Sequence, residues 1–231
     1  MTLAATLGSA AAARSQAWWL LSRFLLKAPD EAFIRDLGAF LAAAAERAPE
    51  SLAPHLGELL SCVRMLDGKA IPVEVAVDYT RLISGVYRKE GMPPVESAVR
   101  QGRTLGDAGA ATSIAYAQAG FPDPCPEAGP PDHAATGLRF LALCCHAESQ
   151  AWQAGDLAAG SAWLQRERNF LQDHVITWLP DYCDSAAARA ATPLYSSGLR
   201  LVAATCRADL DDVMAMLAEV DLETALPQTN P

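Results

Sequence analysis

Positive charge is scarce in this 231-residue chain, which has 18 lysine and arginine residues against 27 aspartate and glutamate residues. The formal net charge is -9 and the isoelectric point is near 4.9. Because nucleic acids are bound through clusters of lysine and arginine that displace counterions from phosphates, this balance argues against a nucleic-acid partner. A basic peptide suits such an acidic protein better as a ligand.

Paired cysteines are also lacking. None of the six cysteines belongs to a C-x-x-C motif, so the sequence indicates neither a zinc cage nor a thioredoxin-like redox pair. The cysteines stand at positions 62, 125, 144, 145, 183 and 206. They are expected to be reduced, buried thiols.

No stretch of the sequence approaches the run of about 20 uncharged apolar residues that spans a bilayer. The apolar segment from Trp18 to Leu26 is short, and Arg23 interrupts it. No basic residue precedes Arg14, so the positive flank of a secretory signal is missing as well. The chain is therefore expected to be cytoplasmic, without a cleaved signal and without stable membrane insertion.

The usual motifs of catalysis are absent too. The histidines form no H-E-x-x-H motif, and His146-Ala147-Glu148, which matches the H-x-E of zinc deaminases, lacks the P-C-x-x-C segment that those enzymes need. There is no G-x-S-x-G elbow and no G-x-x-x-x-G-K-[ST] phosphate loop. The sequence therefore predicts a protein that is not an enzyme and holds neither a metal nor a cofactor of its own.

What the sequence does contain is helical periodicity over most of its length. Apolar residues recur at i, i+3, i+4 and i+7, as at Ala17, Leu20, Leu21 and Phe24. Similar stripes run through 33–44, 56–66, 134–152, 164–178 and 199–210. Alternating β-branched runs bounded by hairpin turns do not occur. The pattern predicts an all-α fold, a bundle of about nine to eleven helices.

A proline-rich segment interrupts the helical pattern at 121–131, where five residues are proline. Such a segment cannot continue a helix, so it is expected to be a hinge or linker. It divides the chain into an N-terminal half, 1–120, and a C-terminal half, 132–231. One compact unit is the alternative, and a dimer that swaps halves across the linker is a further one.

Three short patterns follow one another along the chain. The first comprises Tyr79-Thr80-Arg81-Leu82-Ile83-Ser84-Gly85 and Pro93-Pro94-Val95-Glu96-Ser97. The second is Pro131-Asp132-His133, directly after the proline-rich segment. The third places Glu167, Phe170, Leu171, His174 and Trp178 at the spacing E-x-x-F-L-x-x-H-x-x-x-W. Together these patterns resemble the TorD/DmsD/NarJ family of chaperones for molybdenum enzymes, over most of the chain.

This resemblance implies a TorD-like fold and a function in the maturation of an exported molybdenum oxidoreductase. Such a chaperone binds the twin-arginine signal peptide and the apo form of the catalytic subunit, so that export waits until the client has received its molybdopterin cofactor. The residues implied to bind the peptide are Tyr79, Leu82, Ile83, Tyr87, Pro131, Asp132 and His133. The third motif, with Glu167, Phe170, His174 and Trp178, receives no defined role.

Several motif residues also have a structural interpretation. Tyr79, Leu82 and Ile83, at i, i+3 and i+4, fit one buried face of a helix. Glu167 and His174 are expected to be a structural polar pair or part of a solvated face rather than a binding site.

The residues around the second motif can be interpreted in the same way. Asp132 fits the N-cap of the helix that follows it, and His133 is expected to be neutral because a helix N-terminus disfavours an imidazolium. Gly137 and Arg139 stand where the family commonly has acidic residues. We therefore do not infer that an acidic side chain of this protein contacts the peptide at these two positions.

Two other functions compete with the chaperone hypothesis. A nucleotide hydrolase would need a phosphate cradle, and the sequence offers no motif for GTP binding. A helical regulator or scaffold without a role in export would bind a protein partner but no signal peptide. The sequence leaves open which molybdenum enzyme is the client.

Overall fold

The computed structural model describes residues 2–84, 93–103 and 106–225. Ten α-helices lie within these ranges: α1 Leu3–Leu26, α2 Glu31–Ala45, α3 Ala53–Leu66, α4 Val73–Leu82, α5 Glu96–Gln101, α6 Asp107–Gln118, α7 Ala134–Gln153, α8 Leu157–Phe170, α9 Leu179–Arg189 and α10 Pro193–Ala225. A 3-10 turn at Pro126–Ala128 lies in the proline-rich segment, and a π turn at Leu171–Val175 directly follows α8. The predicted all-α bundle of about nine to eleven helices is confirmed.

Acidic side chains fix where two of the helices begin. The backbone N–H of Phe33 donates to Asp30 Oδ1 at 2.8 Å, just before α2. The N–H of Ala159 donates to Asp156 Oδ1 at 2.9 Å, just before α8. Each cap pairs a donor that the first helical turn leaves unpaired, which stabilises a helix by about 1 kcal/mol. Helix α2 therefore begins at Glu31, directly after the capping residue Asp30.

Helices α1 and α7 pack side by side along most of their lengths and form the centre of the bundle. Three serine hydroxyls tie the pair together by donating to a carbonyl of the opposite helix, each at 2.8 Å: Ser149 to Gly8, Ser15 to Ala142 and Ser22 to Ala135. The order of these pairs shows that the two helices are antiparallel. The N-terminal and C-terminal halves of the sequence are therefore joined along a full helix–helix interface.

The hydrophobic core is continuous across both halves. Phe24 on α1 packs against Tyr195 on α10, with ring centroids 5.0 Å apart. Gly198 makes this approach possible, because a Cβ atom there would lie 2.4 Å from Phe24 Cζ. Among the described residues, both halves of the sequence thus contribute side chains to one core, and the division at the proline-rich segment stays a prediction.

A buried carboxylate connects α4 to the turn between α9 and α10. Asp78 Oδ2 accepts from the backbone N–H and the hydroxyl of Thr192, both at 2.7 Å, and from Ala191 N–H at 3.0 Å. Arg81, one turn further along α4, donates to Asp78 Oδ1 at 2.7 Å. Asp78 thus holds the end of α4 against the start of α10.

In the part of the chain that the structure describes, no helix combines the length and apolar character needed to cross a membrane. The six cysteines are free, and all except Cys62 are buried. Burial raises the pKa of Cys145 and Cys183 well above the usual range, which keeps both thiols protonated.

Candidate functional site

Parts of all three sequence motifs meet at one place. Glu96 N–H donates to the Asp132 carbonyl at 2.9 Å, and Ala134 N–H donates to the Pro94 carbonyl at 2.7 Å. These bonds flank an isolated antiparallel bridge between Val95 and His133. The first and second motifs are therefore held together through their backbones. The residues Glu96, Ser97, Asp132, His133 and His174 are called the motif cluster below.

Asp132 caps a helix other than the one that the sequence predicted. Its Oδ2 accepts from Ser97 N–H at 2.8 Å, so this carboxylate caps the start of α5. Helix α7 is capped instead by His133, whose Nδ1 accepts from Ala135 N–H at 3.1 Å. The predicted N-cap at Asp132 is thus wrong by one residue, because the Asp132 side chain turns towards α5 across the bridge.

His133 is held in its neutral form. Burial lowers its pKa to about 4, although the nearby Asp132 carboxylate acts in the opposite direction. Since Nδ1 accepts the capping hydrogen bond, the remaining proton is on Nε2 at neutral pH. The expected neutrality of His133 is confirmed, but burial rather than the helix dipole is its main cause.

His174 joins the third motif to the first. Its Nδ1 lies 3.1 Å from Glu96 Oε2, and Arg100 donates to the other carboxylate oxygen of Glu96. Trp178 Nε1 donates to the His174 carbonyl at 2.7 Å. Glu96 is buried, so this buried carboxylate is partnered by side chains from two elements. Of the two structural interpretations given for His174, it is therefore found in a polar pair, but with Glu96 rather than with Glu167.

An aromatic group lies beneath the motif cluster. The Phe170 ring packs against the rings of Phe140 and His174, with centroids 4.7 Å and 5.2 Å away. Tyr116 contacts both phenylalanines, and its hydroxyl donates to the Pro131 carbonyl at 2.8 Å. The aromatic group thus anchors the end of the proline-rich segment to α6, α7 and α8.

The cavity inside the motif cluster is too small for a peptide or a nucleotide. Its free volume of about 10 Å³ is close to the space of a single water molecule. Asp132 Oδ1 and Ser97 Oγ are both buried in the motif cluster without a hydrogen-bond partner among the residues that the structure describes. In the described conformation the motif cluster is therefore a closely packed polar contact between the three motifs, without room for a ligand.

The remaining predicted peptide-binding residues lie on α4 and just after it. Leu82 and Ile83 are only 2% and 1% exposed, within the hydrophobic core. Tyr79 is half-buried, and its hydroxyl donates to the Leu26 carbonyl at 2.6 Å. Tyr87 lies outside the described residues. Leu82 and Ile83 thus face the core rather than an open groove, and their contact with a peptide stays a prediction.

Glu167 belongs to a second polar group on the opposite side of α8. Arg14 on α1 donates to Glu167 Oε2 and to Asp209 Oδ1, both at 2.6 Å, and to Glu148 Oε2 at 3.0 Å. Cys145 Sγ lies 3.3 Å from Glu167 Oε2. Here one guanidinium serves three largely buried carboxylates. Arg14, Glu148, Glu167 and Asp209 are called the Arg14 cluster below.

The Arg14 cluster brings together atoms that could also hold a metal ion. One ligand atom each from Cys145, Glu148 and Glu167 lies within 4.8 Å of the others. The Arg14 guanidinium, however, already donates to both glutamates. The arrangement fits an arginine rather than a metal.

Comparison with known proteins assigns the chain to a family. A family model described as "Nitrate reductase delta subunit" matches residues 26–184, more than half of the chain. The chain belongs to this family. The predicted membership of the TorD/DmsD/NarJ group is thereby confirmed, and all three motifs lie within the matched residues.

Individual relatives of this nitrate reductase delta subunit family member carry chaperone names. The chaperone protein TorD of Vibrio cholerae O1 (strain O395) is 28% identical over 197 residues, which cover 83% of this chain and 87% of the relative. The TorD protein of Vibrio vulnificus is 25% identical over 200 residues, which cover 84% of this chain and 91% of the relative. The chain is also similar to a protein from Archaeoglobus fulgidus whose crystal structure is described as that of a putative redox enzyme maturation protein. The two sequences are 19% identical, the TM-score is 0.39, and the match covers 87% of this chain and 93% of the other.

Half of the Arg14 cluster lies outside the segment that matches the delta subunit family. Arg14 precedes the match and Asp209 follows it, whereas Glu148 and Glu167 lie within it. The sequence reasoning missed Arg14, Glu148 and Asp209. One signal pointed to the first of them: Arg14 is the only charged residue between Leu3 and Leu21. A lone charge in an alanine-rich helix that packs on both sides needs a buried partner.

A pH-dependent stability follows from the Arg14 cluster of this delta subunit family member. Burial raises the pKa of Glu167 to about 8, against the attraction of Arg14 and with repulsion from Glu148 and Asp209. The folded protein therefore keeps this proton to higher pH than the unfolded chain. The protonated Glu167 side chain contributes its full stabilisation of the fold below about pH 4.5, the usual pKa of a glutamate. This contribution is lost as the pH rises towards 8.

Glu167→Gln is expected to flatten this pH dependence, because glutamine keeps the shape of the protonated acid but does not titrate. Urea denaturation of both proteins across this pH range would measure it. Glu50→Gln, at an exposed loop position, is the matched control. Parallel stability curves for wild type and Glu167→Gln would contradict the assignment.

Proposed function

We propose that this protein is a cytoplasmic chaperone that binds the catalytic subunit of an exported molybdenum oxidoreductase before its cofactor is inserted. It binds the twin-arginine signal peptide of this client, delays export, and keeps the apo subunit ready for the molybdopterin cofactor. The chaperone itself carries out no catalysis. The observation that carries the proposal is the nitrate reductase delta subunit match over residues 26–184. The TorD names of its relatives support it.

The chemistry of the chain also suits this ligand. A twin-arginine signal peptide has two guanidinium groups followed by an apolar segment. The protein has a net charge of -9, so long-range electrostatics favours a cationic ligand. Burial of the apolar segment of the peptide would contribute about 25 cal/mol of binding free energy for each Å² of apolar surface removed from water.

Motif residues have two different roles in this proposal. Tyr79, Pro131 and His133 are partly exposed, and we assign them to direct contact with the client. Leu82, Ile83 and Asp132 are buried, so they hold the contacting residues in position. The proline-rich segment, fixed at Pro131 by Tyr116, presents this face.

A peptide titration tests the proposed function. A fluorescent synthetic peptide with two adjacent arginines and a leucine–alanine run is expected to bind at least about tenfold more tightly than the same peptide with glutamines in place of the arginines. Fluorescence anisotropy at two salt concentrations measures the difference, which should narrow at higher salt. Equal affinities for the two peptides, or no binding of either, would contradict the proposal.

The assigned contact at His133 can be tested in the same titration. Asparagine at this position can still cap α7 but lacks the imidazole, so His133→Asn should weaken peptide binding while leaving the melting temperature close to that of wild type. An unchanged affinity would remove His133 from the contact face.

A further inference from the structure

An open groove lies between α1, α2 and α10, on the side of α1 away from α7. Its volume is about 320 Å³. Trp18, Leu21 and Leu201 are buried beneath it, and Phe40 lies at its side. Alanines from α1, α2 and α10 line much of the remaining wall, and their small side chains leave the space open. The groove is therefore largely apolar while remaining accessible from solvent.

The apolar surface continues past Phe40 along the line where α1 and α2 face each other. Phe40 and Ala43 line both the first groove and a second opening of about 490 Å³. The second opening also contains Trp19, whose side chain is 46% exposed. The two openings thus form one elongated trough that is long enough for more than one side chain of a ligand.

Negative charge is in excess at the α10 end of this trough. Asp209 and Asp212 line it together with Arg14, and Arg14 already donates to three carboxylates. Burial raises the pKa of Asp212, and repulsion from the Asp209 carboxylate adds to this effect against the attraction of Arg14. Arg47 is the other cation of the lining and lies in the segment that follows α2. A further guanidinium beside Asp212 would offset the excess.

We propose that this trough binds the signal peptide of the client, with the apolar segment of the peptide against Phe40 and the alanines and one of its arginines beside Asp209 and Asp212. The location rests on the proposed chaperone function for the identity of the ligand. It adds to the face around His133, which contacts the rest of the same peptide. Leu82 and Ile83 are buried in the described conformation, so the apolar surface of the trough comes from other residues.

Two substitutions test the trough with the twin-arginine peptide described above. Ala43 is exposed on α2, so Ala43→Phe should fill the trough without disturbing the core, and Asp212→Lys should repel the arginines. Each is expected to weaken peptide binding by about tenfold or more. Ala110→Phe, at an exposed position of α6, and Asp211→Lys, next to Asp212 but outside the trough, are matched controls that should bind as wild type does.

The outcomes separate the location from the function. If wild type binds the peptide and Ala43→Phe and Asp212→Lys bind it equally well, the trough is not the site and the proposed function stands. If wild type does not bind the twin-arginine peptide, both proposals are overturned. Circular dichroism spectra and melting temperatures close to those of wild type would show that a variant with weaker peptide binding is still folded.

Discussion

Replacing Arg14 with methionine is expected to lower the free energy of unfolding by about 3 to 5 kcal/mol at neutral pH. Methionine retains most of the apolar stem but leaves Glu148, Glu167 and Asp209 without their shared cation. The Arg14 side chain is only 12% exposed, so water cannot replace the lost interaction. The cost should shrink in mild acid, because burial raises the pKa of Glu148, which then takes up a proton and no longer needs the cation. Urea denaturation at both pH values measures the effect.

Arg35→Met is the matched control, because Arg35 is exposed on α2. Substitutions at such positions usually change stability by less than about 0.5 kcal/mol. If Arg14→Met and Arg35→Met have the same effect, the Arg14 cluster contributes no more than a surface charge does.

Asp78→Ala is expected to lower the free energy of unfolding by about 3 kcal/mol, because it removes the hydrogen-bond acceptor for Ala191, Thr192 and Arg81 at once. Glu74→Ala, at an exposed position one turn earlier on α4, should cost less than about 1 kcal/mol. Chemical denaturation of wild type, Asp78→Ala and Glu74→Ala measures the three free energies of unfolding. Equal stability of the two variants would show that Asp78 does not hold α4 to α10.

The effect of Asp78→Ala should also depend on pH. Burial acts to raise the pKa of Asp78, but hydrogen bonds from Arg81 and Thr192 outweigh it, so the pKa is lowered. The ionised carboxylate therefore stabilises the fold above the usual carboxyl pKa of about 3.9, and this contribution is lost as pH falls through the lower folded value. The difference between wild type and Asp78→Ala should narrow in acid.

Long apolar stripes allowed most of the helices to be predicted from sequence. Helix α3 shows this clearly, since Leu56, Leu59, Leu60 and Val63 were predicted as one stripe and are buried together. Helix α5 was not predicted, because its six residues are too few to show a period. Its start depends on a cap from Asp132, which is 35 positions away from Ser97 in sequence.

The sequence identified the motif residues but not their partners. Glu167 and His174 are seven residues apart, and in an uninterrupted α-helix they would lie on the same face. The π turn at Leu171–Val175 changes the rotation per residue between them. Glu167 consequently points to Arg14, whereas His174 points to Glu96. No local pattern in the sequence indicated this turn, so the sequence could not show that the two residues have different partners.

The antiparallel pairing of α1 with α7 determines when the protein can fold during its own synthesis. Ser15 and its partner Ala142 are 127 residues apart, so α1 leaves the ribosome long before the surface that covers it exists. Until then the apolar face of α1 is exposed to water, and a fragment that stops at the proline-rich segment lacks its cover permanently. The apolar face of α1 in the nascent chain is therefore covered only after α7 has been synthesised.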